Sequence, residues 1–199
     1  MLKLVLIGSG GHSISVIDII SRIQNIKIVG YVDKTFKNNF DLKYLGNDND
    51  LNKIFKTTNN AHIAIGHIKS NKTRKNLFKK LKSIGFRFPV IKSTSSIISK
   101  KSIIEEGVIV MENTIINSGT SIGYNSIINN KALIEHGSTI GNNCHISTGV
   151  LINGDIKIGN NVFIGSGTII HNSIKIGNNC FINSGKIITK NLLNNEIIK

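Results

Sequence analysis

The sequence predicts two domains: an α/β, Rossmann-like unit over residues 1–90, followed by a parallel β-helix of hexapeptide repeats over residues 91–199. Three observations carry this reading. Isoleucine or valine occupies every sixth position from Ile98 to Ile188, sixteen times without exception. Four residues after each anchor, until the last hexads, stands a small or β-branched residue, from Ser102 through Ala132 and Cys144 to Cys180. Ahead of this ladder, apolar runs alternate with helical periods in the order strand, helix, strand, helix, strand, helix. A six-residue period suits neither an amphipathic helix nor meandering strands, but it is the spacing at which three hexads close one coil of a solenoid. Each anchor then stacks on its equivalent 18 residues away, one strand spacing of about 4.8 Å along the axis. About five coils are expected on this count.

In the first domain LKLVLI (2–7) reads as a buried strand and GSGGHS (8–13) as the turn into a helix over 13–24. KIVGYVD (27–33) is a second strand closed by Asp33. A loop through LGNDNDL leads to a short helix near 50–56, a strand HIAIG ending at Gly66, a helix over 70–83 and an extended link from Phe86 to Ile91. Ligands of such a unit bind at the carboxyl ends of its strands. The turn compares with the dinucleotide fingerprint GxGxxG, whose glycines admit a diphosphate to backbone N–H groups. Here the third glycine is replaced by Ser13, and His12 is bulky, so a phosphate site and a plain strand-to-helix turn both fit. Asp33 fits either a carboxylate accepting bonds from a nucleoside or a turn cap.

The net charge of +14 comes from 25 basic against 11 acidic residues. The lysines are scattered or in pairs such as Lys79-Lys80, with no basic helix and no aromatic interleaving, which argues against a nucleic-acid partner. The N-terminal apolar run is too short for a signal-peptide core, and nothing approaches the ~18 apolar residues of a membrane span. A cytoplasmic protein with no membrane partner is expected. Cys144 and Cys180 stand two coils apart, roughly 9–10 Å between Cα atoms and beyond disulfide reach; they read as core residues, and no metal is expected. Thr148, Ser166 and Ser184, spaced by 18 and each followed by glycine, form a column of small polar residues. Such a track suits an extended, slender ligand, or marks only successive turns. In LIEHGSTIG (133–141), His136 lies two residues past an anchor and interrupts no core column.

The pairing of GSGGHS at a β-α-β N-terminus with an isoleucine-paced β-helix carrying IEHG and CHISTG resembles the sialic acid O-acetyltransferase family of sugar acyltransferases. Within the hexapeptide-repeat superfamily this group includes bacterial enzymes that N-acetylate UDP-linked 4-amino sugars. The resemblance implies a left-handed β-helix, a homotrimer, and transfer from acetyl-CoA to the amino group of a nucleotide-linked sugar. It further implies that Gly10, Gly11, His12, Asp33 and Gly66 hold the nucleotide-sugar and that His136 is the catalytic base. His145, Ser166 and Ser184 would contact acetyl-CoA. An imidazole titrates near pH 6.5 when unperturbed, which suits it to take the proton an attacking amine must lose. Two alternatives stand beside this: O-acetylation of sialic acid or a related sugar, and a catalytically silent nucleotide-sugar-binding trimer.

The sequence departs from the family at three places. Relatives place Asp or Glu directly after the catalytic histidine, where it raises the basicity of the ring; here that residue is Gly137. The missing acid implies a weaker base, and Gly137→Asp is expected to raise the rate at low pH. Glu135 points to the opposite side of the strand, and Ser118, one coil earlier, is placed to orient the ring without adding charge. Lys34 follows Asp33 where some relatives have a second acid. The sequence finishes at NNEIIK without the Gly-x-Pro-Ala segment of many such transferases, which fits either a less enclosed coenzyme site or a shortened sequence.

Overall fold

Four consecutive apolar residues, Leu4 to Ile7, are buried to 2% exposure or less. They make β1 (Leu2–Ile7) the centre of a parallel sheet in the computed structural model, which describes residues 1–37 and 41–199. The chain divides into two units, Met1–Pro89 and Val90–Lys199.

In the first unit β1 leads through α1 (Gly11–Ser21) to β2 (Ile26–Val32) and on to the edge strand β3 (Tyr44–Gly46). The chain then passes through α2 (Leu51–Phe55) to β4 (Ala61–Ile63) and α3 (Lys72–Ile84). The strand order is β3-β2-β1-β4, all parallel. The chain therefore winds outward on one side of β1 and returns on the other, which opens a crevice beyond the carboxyl ends of β1 and β4.

Element bounds differ from expectation for local reasons. α1 starts at Gly11 rather than residue 13, because Gly10 is already its extended N-cap, and it ends at Ser21. Beyond that residue, the N–H groups of Arg22 and Ile23 donate to Ile19 and Ile20 in tighter turns, at 3.2 and 2.9 Å. The strand expected as far as Gly66 stops at Ile63, since Ala64 N–H to Ile7 C=O (2.8 Å) is the last bond that β1 can offer it. β3 has too few residues to show an alternation, and part of it falls in the expected loop.

The second unit is the left-handed parallel β-helix. Its first face carries seven strands, from Ile91–Lys92 to Ile197–Ile198, its second six, from Ile97–Ile98 to Ile187–Ile188, and its third five, from Ile103–Ile104 to Lys175–Ile176. That is six coils rather than five, because pairing continues past both ends of the isoleucine count: Ile91 pairs with Ile109, and Ile197 with Phe181. Anchors from Val110 to Ile188 are at most 4% exposed.

From Val108 to Cys180 the residue four past each anchor is buried too, and where it is polar it reaches the next coil. The hydroxyls of Thr114, Thr120, Ser126, Ser138 and Thr168 each donate to a turn carbonyl 15 residues on, at 3.0–3.2 Å. Cys144 Sγ does the same to Gly159 C=O at 3.1 Å. Both cysteines are free and buried, and burial pushes the Cys144 thiol up to about 12, so at neutral pH it stays a protonated core group.

From the second coil on, corners turn on a left-handed residue three past the anchor: Gly107, Asn113, Gly119, Asn125 and so on, every sixth residue to Gly185. Gly and Asn dominate these positions, as residues that tolerate this conformation. A second glycine column, Gly123, Gly141, Gly159 and Gly177, lies where the next coil passes so closely that a Cβ would overlap it. Beside it the amide oxygens of Asn142, Asn160, Asn178 and Asn194 each accept from the backbone N–H one coil earlier, at 2.7–3.0 Å. Among the described residues no helix is long and apolar enough to cross a membrane.

Ile146 is fully buried in the middle of a core column. Ile146→Ala should cost about 2–5 kcal/mol, measurable as a lowered denaturation midpoint with the far-UV spectrum unchanged before the transition.

Candidate functional site

The crevice of the first unit is assembled by the loop after β1. Ser9 N–H donates to Asp33 Oδ2 at 2.8 Å, the Ser9 hydroxyl donates to the same oxygen, and Lys34 N–H donates to Oδ1 at 2.6 Å. Burial works against ionisation of Asp33. The Ser9 hydroxyl, the N–H groups of Lys34 and Ser9 and the Lys37 ammonium outweigh it and hold the carboxyl below its usual range. Asp33 is thus a carboxylate fixed to the glycine loop, with lone pairs still directed outward. It borders a cavity of about 300 Å³ whose polar rim includes Asp48, Asn76 and Lys80 and whose floor includes Val32 and Leu77. Lys80 Nζ lies 3.4 Å from Asp48 Oδ2 across this rim.

Gly10 and Gly11 do not line that cavity. They open α1 beside it, and a Cβ on either would meet nothing within 4 Å. Open space beside a helix N-terminus is what a phosphate needs to reach its N–H groups. His12 packs on Gly66, where a Cβ would stand 3.3 Å from the histidine Cβ and Cγ, so these two predicted residues touch.

Beneath them lies a group that the sequence did not flag. Arg74, 1% exposed, donates from Nη1 to the carbonyls of Ile63 and, at 3.1 Å, Ile65. Burial pushes its guanidinium down to about 9, which leaves it charged at neutral pH. Ser9, Asp48, Asn76, Lys80 and Arg74 were all missed. Only Ser9 carried a signal, through its place inside the glycine turn.

In the second unit His136 is exposed at the corner between the second and third faces. Its ring leans on the following coil rather than on Ser118: a Cβ at Gly154 would stand 2.8 Å from His136 Cε1 and 2.9 Å from Nε2. Glu135 is turned to the preceding coil, where its Oε2 accepts from Asn117 Nδ2 at 2.9 Å.

Gly137 is the left-handed corner residue, φ +68°. A Cβ there would fall on the carboxylate Oδ1 of Asp155, so a side chain at position 137 needs the Asp155 carboxylate to move aside. Gly137→Asp, expected to raise the rate at low pH, would therefore set a second carboxylate against one already there.

His145 lies on the first face and is 7% exposed. Its Nε2 is 3.3 Å from Asn129 Nδ2, and its ring meets Phe163 edge-on at 5.3 Å; Phe163 in turn stacks on Phe181 at 5.1 Å. Thr148, Ser166 and Ser184 are exposed along the corner between the first and second faces, and Cβ atoms on Gly149, Gly167 and Gly185 would meet nothing within 4 Å. That corner and the one bearing His136 are opposite edges of the second face. One chain therefore does not bring His136 together with Ser166 and Ser184. Among the described residues no group of three or more His, Cys, Asp or Glu side chains could hold a metal ion.

Two family models match. Residues 3–81 match the PglD N-terminal domain, and residues 155–190 match the bacterial transferase hexapeptide (six repeats). No curated protein matches significantly. Among solved structures the chain is similar to PerB from Caulobacter crescentus in complex with CoA and GDP-perosamine, at 25% identity and a TM-score of 0.91, covering 98% of this chain and 92% of that one. A histidine-to-asparagine variant of perosamine N-acetyltransferase from the same organism, also with CoA and GDP-perosamine, superposes at 0.92 with 24% identity over the same shares. The acetyltransferase domain of PglB from Neisseria gonorrhoeae, in complex with acetyl coenzyme A, matches at 0.91 with 22% identity, over 98% and 94% of the two chains. The resemblance to sugar acyltransferases drawn from the sequence holds.

His62 on β4 is fully buried, and both its ring nitrogens lack a hydrogen-bond partner among the described residues. Burial first, then the nearby Arg74 and His12 charges, keep it from protonating until well below the ordinary range. The unfolded chain takes up that proton below about pH 6.5 and the folded chain does not. Stability is therefore full above that pH and falls below it, by about 1.4 kcal/mol per pH unit. Melting between pH 8 and 5 should show this slope, and His62→Leu should flatten it.

Proposed function

Starting from a chain built as a PglD-type domain joined to bacterial-transferase hexapeptide repeats, we propose that this protein transfers acetyl from acetyl-CoA to the amino group of a nucleotide-linked amino sugar. The amine nitrogen attacks the thioester carbonyl carbon and gives its proton to His136, while backbone N–H groups steady the oxyanion. Collapse of the intermediate breaks the C–S bond, and the proton passes to the thiolate, so the products are the acetamido sugar and CoA. PerB and its variant, bound to CoA and a GDP-linked sugar, support the substrate class.

In the first unit the nucleotide-sugar would lie along the crevice at Gly10, Gly11, His12, Asp33 and Gly66. The α1 N-terminus and the buried Arg74 charge favour its diphosphate there, and Asp33 accepts from a ribose or base donor. His145, Ser166 and Ser184 would contact acetyl-CoA.

The observation that carries the reading is the outward column of the second face: Ile97, Ile115, Leu133, Leu151, Ile169 and Ile187 stand in register, one per coil. Exposures of 66% at Ile97, 36% at Leu151 and 63% at Ile187 leave an aliphatic stripe on the surface. The third face presents Ile103 only in its first coil and then Ser121, Thr139, Lys157 and Lys175. Packing three such stripes around an axis buries them and brings the His136 edge of one copy to the Ser166–Ser184 edge of the next. The working form is then a homotrimer with its coenzyme between subunits. Both substrates are cytoplasmic metabolites, which puts the protein in that compartment.

A panel of nucleotide-linked amino sugars and free sialic acid, assayed for CoA release, should show turnover with an amine, and His136→Ala should lower it by about 10²–10⁴-fold. Turnover with sialic acid alone would instead assign O-acetylation. Leu133→Glu combined with Leu151→Glu should convert the trimer to monomer in light scattering and abolish transfer; a monomeric wild type with full activity would overturn the shared site.

A further inference from the structure

The base at the corner has a glycine on its own coil where charge is wanted, yet the space beside it is filled. Two consecutive coils exchange side chains here. His136 leans forward onto Gly154, where a Cβ would stand 2.8 and 2.9 Å from its ring. Asp155 leans back, so that its carboxylate Oδ1 takes the place of a Cβ on Gly137. Each side chain occupies the room that the other coil's glycine leaves free, and the exchange is pinned by Asp155 N–H donating to His136 C=O at 2.9 Å. Asp155 holds the left-handed corner, φ +59°, directly over Gly137. The imidazole and the carboxylate thus occupy the same pair of stacked corners, one coil apart, without a hydrogen bond between them. The other nearby acid, Glu135, is tied to Asn117 in the opposite direction.

We propose that Asp155 is the positioning residue of this site, supplying from the next coil the negative charge that supports His136 as it takes a proton. The argument is one of charge and placement. A ring that becomes an imidazolium during the reaction is stabilised by an anion held nearby, and an anion fixed by the backbone costs no reorganisation when the charge appears. Position 155 and position 137 are alternatives for that anion. The two corners lie one above the other, and only one of them can carry a side chain reaching into the shared space. Gly154 belongs to the same arrangement, since any larger residue there would displace the ring.

The inference rests on His136 being the base of the proposed transfer, and the test separates the two ideas. Asparagine is isosteric with aspartate and tolerates a left-handed corner, so Asp155→Asn keeps the fold; an unchanged melting temperature checks this. Its kcat should fall by about ten- to a hundred-fold, a part of what a general base contributes, with KM for both substrates unchanged. Glu135→Gln should retain the wild-type rate. Gly137→Asp alone should lose activity through the clash with Asp155, while Gly137→Asp in an Asp155→Gly background should regain at least part of what Asp155→Gly loses. Wild-type kcat in Asp155→Asn, or a loss in Glu135→Gln with Asp155→Asn intact, overturns the role of Asp155 and leaves His136 standing. Equal rates for wild type and His136→Ala overturn the parent reading, and this one with it.

Discussion

From Gly107 to Gly185 every sixth residue takes a left-handed backbone conformation, and the direction of each side chain in that stretch follows from that constraint. The corner fixes which residue of a hexad points to the axis, which caps the turn and which faces outward. Repeating the corner 18 residues later stacks like on like, so one chemical choice per position becomes a column: aliphatic within, amide ladders at one edge, small hydroxyls at another, an aliphatic stripe along the second face. The same repetition makes exceptions meaningful. A histidine at a corner has neighbours only from the coil before and the coil after, so its surroundings are set by residues 18 away rather than by those beside it in sequence.

The first unit works on a different constraint, the sharing of hydrogen bonds between strand ends. Asp33 closes β2 by accepting from the loop after β1, which ties together the two segments that border the crevice. A ligand meeting this carboxylate meets a group already oriented and already ionised. Arg74 performs the matching task beneath β4: it satisfies carbonyls that β1 is too short to pair and leaves a positive charge under the loop.

Much of this was legible in the sequence because it is periodic. The isoleucine spacing predicts the solenoid, the small residues four on predict the inner column, and the strand–helix alternation predicts the parallel sheet. What escaped is what depends on proximity between coils or loops. Gly137 looked like a missing acid; it is a corner residue, and the acid in its space arrives from Asp155, which the 18-residue spacing stacks on position 137 but whose side-chain direction the spacing alone does not give. Ser9 as the partner of Asp33, and Asp48 and Lys80 on the cavity rim, required loops to be placed in three dimensions. The sixth coil escaped because its last hexads abandon the spacing: Asn194 follows Asn178 by 16 residues.

Solenoids open from their ends, because a terminal coil has a neighbour on one side only. The first anchors are already partly open to solvent at Ile98 and Ile104, and the exposed Leu193 and Ile197 mark the other end. His136 sits in the third of six coils and Asp155 in the fourth, as far from either end as the stack allows. Fraying at the termini can therefore proceed through a whole coil without loosening the crossing of these two side chains, and the residues that most need a fixed geometry lie where hydrogen exchange would be slowest.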